Sequence, residues 1–252
     1  MKFQYASDLH LEFPENKAFL RKNPLKPEGD ILLLAGDIVP IINMYEHIDF
    51  FDFVSDHFES TYWLPGNHEH YHSDIKDRFG YLNEKIRENV FLVNNTSIVI
   101  KDITLIFSTL WTRITARYQS EIHKTLSDFR VIRSGGRLLT VGQYNLIHDQ
   151  CISFLKMELS KEKKSRNIVV THHTPTFLNY PEEFRGDALN EAFAVELSEL
   201  IETFQPDFWI FGHLHSNNND FKIGKTRLVT NQLGYVMFNE QKGFNTGKII
   251  EV

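Results

Sequence analysis

Five short clusters along the 252-residue chain consist of side chains that hold divalent cations. In chain order they are Asp8-Leu9-His10, Gly36-Asp37, Gly66-Asn67-His68-Glu69, His172-His173 and Gly212-His213-Leu214-His215. They offer carboxylate, amide oxygen and imidazole, and no thiolate. That donor set suits two divalent transition-metal ions in five- or six-coordinate geometry, Mn or Fe first and Zn, Ni or Co as alternatives, and does not suit a structural zinc. Residues two apart in an extended chain share one face, so Asp8 with His10, and His213 with His215, can each reach a common centre. Asp37 has two carboxylate oxygens and can bridge two cations.

Each cluster alone is weak. A single Asp-x-His or His-x-His is commonplace, Asn67 could merely cap a turn, and His172 could be a satisfied core histidine. Their placement adds the weight. Short apolar runs at Phe3–Ser7, Ile31–Ala35, Thr61–Leu64, Ile168–Thr171 and Phe208–Phe211 precede the five clusters in turn. Such runs fit strands buried on both faces of a sheet. Ligands of α/β sheets collect outside the carboxyl ends of the strands. Glycines at three of these ends permit sharp turns and close approach to a ligand.

The elements that must position these residues alternate. Further strands are predicted at Val90–Val93, Ser97–Ile100, Thr104–Ser108, Phe221–Ile223, Arg227–Thr230 and Lys248–Val252, with a tight hairpin at Lys101-Asp102. A helix is predicted over Gln143–Leu159, with a capping box from Thr140 and Gln143. Another follows the stripe Phe193, Leu197, Leu200, Ile201 and Phe204, ending before Pro206. Two more are expected around Tyr45–Phe58 and Asp74–Glu88. Strand-helix alternation followed by hairpins indicates an α/β fold of two sheets packed face to face with helices outside, in one domain spanning 1–252. The stretch Trp111–Arg137 lacks clear periodicity and is the candidate for an active-site lid.

Composition narrows the partners. The net charge of -6 argues against an extended nucleic-acid surface but not against a small phosphoester in a metal-lined cleft. The basic run Lys161–Arg166 closes a helix, where cations favour the dipole, and reads as that before it reads as a nucleic-acid patch. No apolar stretch is long enough to span a membrane. The N-terminus enters a strand at once without a secretory pattern, and Cys151 is the single cysteine. A cytoplasmic location is therefore expected. Cys151 falls on the apolar stripe of a helix, as a buried thiol would. Oligomeric state is left open.

The five clusters in this order resemble the calcineurin-like metallophosphoesterase superfamily, whose pattern is D-x-H, G-D, G-N-H-D/E, H and G-H-x-H. The resemblance runs from residue 8 to residue 215. It implies a four-layer α-β-β-α sandwich of two mixed β-sheets flanked by helices. It implies one metal held by Asp8, His10, Asp37 and His215, and another held by Asp37, Asn67, His172 and His213. It further implies hydrolysis by a hydroxide bridging the two metals, with His68 beside the scissile bond as proton donor or transition-state stabiliser. Glu69 would support the loop.

Departures narrow the class. Gly36-Asp37 runs into Ile38-Val39-Pro40, which lacks the V-D-R-G continuation of protein Ser/Thr phosphatases and the tyrosine ligand of purple acid phosphatases. The small bacterial-type group remains, acting on phosphodiesters or phosphomonoesters. A cyclic-nucleotide phosphodiesterase is the narrower alternative, and a non-catalytic protein-binding scaffold is the rival from another class. The scaffold reading is disfavoured because the ligand set and His68 are intact. For substrate binding, Trp111, Arg113, Arg130 and Arg133 lie in the irregular stretch, and Arg130 is the candidate to grip a phosphate. His70, His72 and His173 are expected behind the ligands or exposed.

Overall fold

A computed structural model describes residues 1–161 and 166–252 of the chain. Its strands are β1 Lys2–Ala6, β2 Ile31–Ala35, β3 Ser60–Leu64, β4 Leu82–Arg87, β5 Val90–Asn94, β6 Thr96–Ile100, β7 Ile103–Ser108, the short pair β8 Arg133–Ser134 and β9 Arg137–Leu138, β10 Arg166–Thr171, β11 Phe208–Phe211, β12 Phe221–Ile223, β13 Thr226–Thr230 and β14 Ile249–Glu251. The helices are α1 Pro14–Lys22, α2 Ile48–His57, α3 Gln119–Thr125, α4 Asp128–Val131, α5 Val141–Leu159, α6 Asn190–Phe193 and α7 Ser198–Phe204.

Two six-stranded sheets carry the fold, ordered β14-β1-β2-β3-β5-β4 and β12-β13-β11-β10-β7-β6. In each, four parallel strands are flanked by an antiparallel strand at either edge. Side-chain alternation sorts the strand residues into layers. Phe3, Tyr5, Leu33, Leu64, Phe107, Val170 and Ile210 fill the space between the sheets. Leu32, Leu34 and Trp63 point the other way, against Leu20 of α1 and Phe51 and Val54 of α2. Val169, Trp209 and Leu228 pack against Leu155 of α5 and Ile201 of α7. The result is the expected four-layer sandwich of two mixed sheets between helices.

The five strands predicted before the clusters all form, and the Lys101-Asp102 turn joins β6 to β7 with Ile100 opposite Ile103. Helix α5 begins in the predicted capping box, with Thr140 Oγ1 accepting from the Gln143 backbone N–H at 3.3 Å. Cys151 is buried on it.

Three expectations need correction. Asp74–Glu88 is not a helix. Only a 3₁₀ turn forms at Ile75–Asp77, and Leu82–Arg87 pairs antiparallel with β5. The edge of β5 would otherwise be bare, and charged residues such as Glu84 and Lys85 are suited to such an edge. Asn94 Nδ2, at the end of β5, pins the turn that leads into β4 by donating to the carbonyls of Phe79 and Gly80 at 2.9 and 3.0 Å. The stripe from Phe193 to Phe204 is broken into α6 and α7, because residues 194–197 leave the helix at the extended Ala194 and bond to the chain after β10. There Val195 N–H donates to Thr174 O and Leu197 N–H to Pro175 O. The Tyr45–Phe58 helix likewise divides into a 3₁₀ segment, Ile41–His47, and α2. Helix α1 was not anticipated, although Pro14 stands at its first turn where proline is tolerated. Of the basic run, residues 162–165 lie outside the described residues; Lys161 pairs with Glu158 at 2.6 Å and Arg166 opens β10.

Residues 111–137 are far from structureless. Trp111, Ile114, Ile122, Phe129 and Ile132 are buried together with Tyr144 of α5. Among the described residues no helix is long and apolar enough to cross a membrane.

Candidate metal centre

The carboxyl ends of β1, β2, β3, β10 and β11 lie side by side where the two sheets meet. After β1 the chain follows the chain after β2, with Asp8 N–H on Gly36 O and His10 N–H on Asp37 O, both at 2.9 Å. His172, leaving β10 of the other sheet, donates Nδ1–H to the β2 carbonyl of Ala35 at 2.9 Å. The His213 backbone N–H, after β11, donates to Asp8 Oδ1 at 3.0 Å. These cross-sheet bonds set the spacing of the centre.

Room is made by leaving atoms out. A Cβ on Gly66 would stand 2.2 Å from Asp37 Oδ1, and one on Gly36 would stand 2.3 Å from His172 Nδ1. The backbone is also held in an unfavourable region. Asp8, His10, Asp37, His213 and His215 all adopt positive φ, between 46° and 77°. Non-glycine residues there cost of order 1–3 kcal/mol each and persist only where the surroundings over-determine them. In each case the turn swings a potential ligand side chain inward at a strand end.

Inside, the potential ligands form two groups. Asp8, His10 and His215 converge in one, and Asp37, His172 and His213 in the other. In the first, His10 Nε2 and His215 Nε2 are 3.0 Å apart, with Asp8 Oδ1 3.4 Å from the latter. In the second, His172 Nε2 lies 3.0 Å from His213 Nδ1, 3.2 Å from Asn67 Oδ1 and 3.4 Å from Asp37 Oδ1. Asp37 faces both, its Oδ2 standing 3.8 Å from His10 Nε2.

Tautomers decide what these contacts are. His10 engages Glu12 Oε1 through Nδ1 at 3.2 Å, and His215 engages Glu240 Oε2 through Nδ1 at 2.7 Å. A neutral ring that donates at Nδ1 presents a lone pair at Nε2. His172 is committed in the same way by Ala35. Asn67 donates its amide to Asp128 Oδ1 at 2.9 Å, which leaves its oxygen facing the group. The Nε2 lone pairs of His10, His215 and His172, the Asn67 oxygen and the Asp8 and Asp37 carboxylates therefore converge at 3.0–3.4 Å, a repulsive arrangement unless positive charge lies between them. Protons supply it in the metal-free protein. Burial opposes charge on His172, yet the Asp37 carboxylate raises its imidazole to about 9. Burial opposes charge on His215 too, yet Asp8 and Glu240 raise it to about 10. Asp8 and Asp37 stay below the usual carboxylate range against complete burial, chiefly through His215 and His172 respectively. Divalent cations satisfy the same lone pairs, and a partner on the far ring nitrogen is what orients a metal-ligating histidine. The donor set and its outer partners fit two cations.

His68 stands beside the centre without belonging to either group. Its backbone N–H donates to Asp37 Oδ1 at 2.9 Å, fixing the turn. Its Nδ1 is 3.0 Å from Glu12 Oε1, and its Nε2 is 3.2 Å from the Tyr235 hydroxyl. Tyr71 stacks on the ring at 4.1 Å. Burial opposes charge on this imidazole, and Asp37 and Glu12 override it and raise its pKa. Glu12 touches the Nδ1 atoms of His10 and His68 together, which makes it an orienting partner and not a ligand of a further ion.

Glu69 supports the loop, as expected. Its carboxylate accepts from the backbone N–H groups of Asp37, Ile38 and Gly66 and from Trp63 Nε1, at 2.7–2.9 Å. Burial and the Asp37 charge raise it to about 7. His70 and His173 are buried beside Trp111 and pushed down to about 3 by burial, aided by Arg78 and His172 respectively.

A cleft of about 400 Å³ opens from Asp37, Asn67, His68, His213 and His215. Arg130 does not line it; its guanidinium is exposed and donates to the carbonyl of Thr125. Arg113 pairs with Asp149 and Arg133 bonds to Gly136 O, so neither reaches the cleft. Trp111 is buried in the interior. From the same stretch it is Asp128 that reaches the site. Asp128, Glu12, Tyr235 and Glu240 were not assigned site roles from the sequence. Glu12, two residues after His10, carried the one local signal. The others come from segments distant along the chain.

A model of the calcineurin-like phosphoesterase family matches residues 1–217, and the chain belongs to that family. A metal-dependent phosphoesterase is what the family and the site define together. An uncharacterised protein of Acanthamoeba polyphaga mimivirus, L509, is 30% identical over 277 aligned residues, covering 99% of this chain and 96% of its own. Among solved structures, the phosphopantetheinyl hydrolase PptH from Mycobacterium tuberculosis superposes with a TM-score of 0.73 at 15% identity, over 99% of this chain and 95% of its own. A dimetal phosphatase from Danio rerio superposes at 0.50 with 15% identity, over 92% and 87%. At such identities the two structures share the fold.

Proposed function

We propose that the chain hydrolyses small phosphoesters at a dinuclear centre, with Asp8, His10, Asp37 and His215 holding one cation and Asp37, Asn67, His172 and His213 the other. The observation that carries this is the pair of acceptor convergences bridged by the two oxygens of Asp37. When bound, two divalent cations supply Lewis acidity, polarising phosphoryl oxygens and lowering the pKa of water.

The chain's own residues do the rest. Asp128 fixes the Asn67 amide so that its oxygen, and not its NH₂, faces the centre. Glu240 and the Ala35 carbonyl hold His215 and His172 in the ligating tautomer. Glu12 holds the His68 ring by Nδ1, turning Nε2 toward Tyr235 and the cleft. A proton at Nε2 is then positioned to pass to the ester oxygen as it leaves, a general-acid role. Glu12 is a positioning residue for this step.

Metal analysis of protein purified without chelator, followed by turnover of a nitrophenyl ester with Mn²⁺, tests the reading. Close to two transition ions per chain and metal-dependent turnover are expected. A His68→Ala variant should keep its metals and lose ~10²–10⁴-fold in rate. Protein that takes up no Mn²⁺ would sink the dinuclear assignment, and unchanged turnover would remove His68 from the chemistry.

A further inference from the structure

The cleft beyond the metal end resolves which phosphoesters fit, an inference that rests on the proposed hydrolase function. Its walls include residues 125–127 and the side chains of Tyr180, Phe184, Leu189 and Phe193. Phe193 stacks on the His213 ring at 4.6 Å, so the apolar wall begins at the metal end itself. Phe184 is 41% exposed, an aromatic left in water at the cleft mouth. Among the described residues that line the cleft there is no lysine or arginine. Its charged side chains other than Asp37 and the histidines are Asp187 and Glu240. Around the centre itself stand the carboxyl groups of Asp8, Asp37, Glu12, Glu69, Asp128 and Glu240, against the charge that two divalent cations and the His68 imidazole would bring.

These features select by charge. A phosphomonoester carries about −1.5 to −2 at pH 7. A phosphodiester carries a single negative charge. With no lysine or arginine in the cleft to share the second charge beside the metals and the His68 imidazole, the dianion meets the surrounding carboxylates at a disadvantage. The apolar wall selects in the same direction, since only a diester has a second arm to lay along it.

We propose that the chain is a phosphodiesterase for monoanionic diesters with an uncharged, largely apolar ester arm, the arm lying between Leu126 and Phe184 and the phosphorus at the metal end. In the reaction one P–O ester bond breaks and water adds its hydroxyl to phosphorus. The leaving oxygen takes a proton from His68 Nε2, which is restored from the water. The products are an alcohol and a phosphomonoester. That monoester is more highly charged than the substrate, so the same carboxylates disfavour its retention and hydrolysis stops after one bond.

Mn²⁺-loaded protein should turn over bis-p-nitrophenyl phosphate with kcat/KM at least tenfold above p-nitrophenyl phosphate, releasing one nitrophenolate per diester. Methyl p-nitrophenyl phosphate keeps the charge and leaving group but lacks the aryl arm. Its KM should be several-fold higher, and Phe184→Ala should erase that difference. Calorimetry supplies a readout without turnover: diphenylphosphinate should bind more tightly than dimethylphosphinate or inorganic phosphate. Leu126→Lys, which brings a cation to the wall, should shift preference toward the monoester. Preference of the unaltered protein for the monoester, or equal binding of the two phosphinates, would overturn the inference and leave the hydrolase reading standing. Turnover of neither ester by metal-loaded protein would overturn both.

Discussion

The two ends of the cleft are built by opposite means. At the metal end, buried side chains sit on strained turns, and their polar atoms are held by partners from both sheets. At the other end, short helices and 3₁₀ turns such as Glu182–Phe184 present apolar side chains, and their polar ties, such as Asn190 Nδ2 to Phe184 O at 2.6 Å, stay within the segment. The first end must hold acceptors against their mutual repulsion, which takes a rigid frame. The second only has to offer area, which tolerates change. Substitutions should therefore be costly at one end and graded at the other.

The largest effect is expected at the shared ligand. Asp37→Asn removes the charge that the two cations would share in the proposed centre and should cost more than the ~100-fold that outer partners of a metal typically carry. Turnover and metal content measured together would show it, and a variant retaining two ions would contradict the bridging role. Gly66→Ala tests the frame without replacing a proposed ligand. The added Cβ has 2.2 Å to Asp37 Oδ1, so overpacking should cost ~1–3 kcal/mol in denaturant unfolding and lower metal content as well.

Glu12→Gln should lower kcat roughly tenfold with KM little changed. In a His68→Ala background the further loss should nearly vanish if Glu12 acts by positioning that ring; full additivity would argue against it. Loading is also linked to protons. His172 and His215 are raised to about 9 and about 10 in the metal-free protein, so at neutral pH both carry protons that cations must displace. Mn²⁺ binding in weak buffer should acidify the solution, and apparent affinity should fall as pH falls. Binding without proton release would show that the rings are already neutral. The smallest effect belongs to the open end. Phe184→Ala should leave stability within ~0.5 kcal/mol and be felt only in KM for arm-bearing diesters. A loss of metal there would erase the contrast between the two ends.

Much of this centre could be read before folding was considered. Asp8, His10, Asp37, Asn67, His172, His213 and His215 each follow an apolar run, and strand periodicity with strand-end ligands is a local pattern. The capping box of α5 and the Lys101-Asp102 hairpin are local too. Where partners are distant, local reading failed. The charged segment Leu82–Arg87 was expected to be helical and became a strand, because the bare edge of β5 lies across a turn that no periodicity describes. The Phe193–Phe204 stripe broke because Val195 and Leu197 found partners in Thr174 and Pro175. Arg130 is a cation that the irregular stretch offers, yet Asp128, two residues before it, faces the site, since helical geometry turns residues two apart to nearly opposite sides.

By itself the sequence determined the donor types, their order and their attachment to strand ends, because those properties belong to single residues and short spacings. Tertiary structure alone decided which donors meet, which ring nitrogen each histidine turns inward and that Glu12 joins His10 to His68. It also decided that the cleft opening from these donors is walled in part by apolar side chains and has no lysine or arginine among its described lining. Those are properties of segments far apart in the chain, and only packing brings them together.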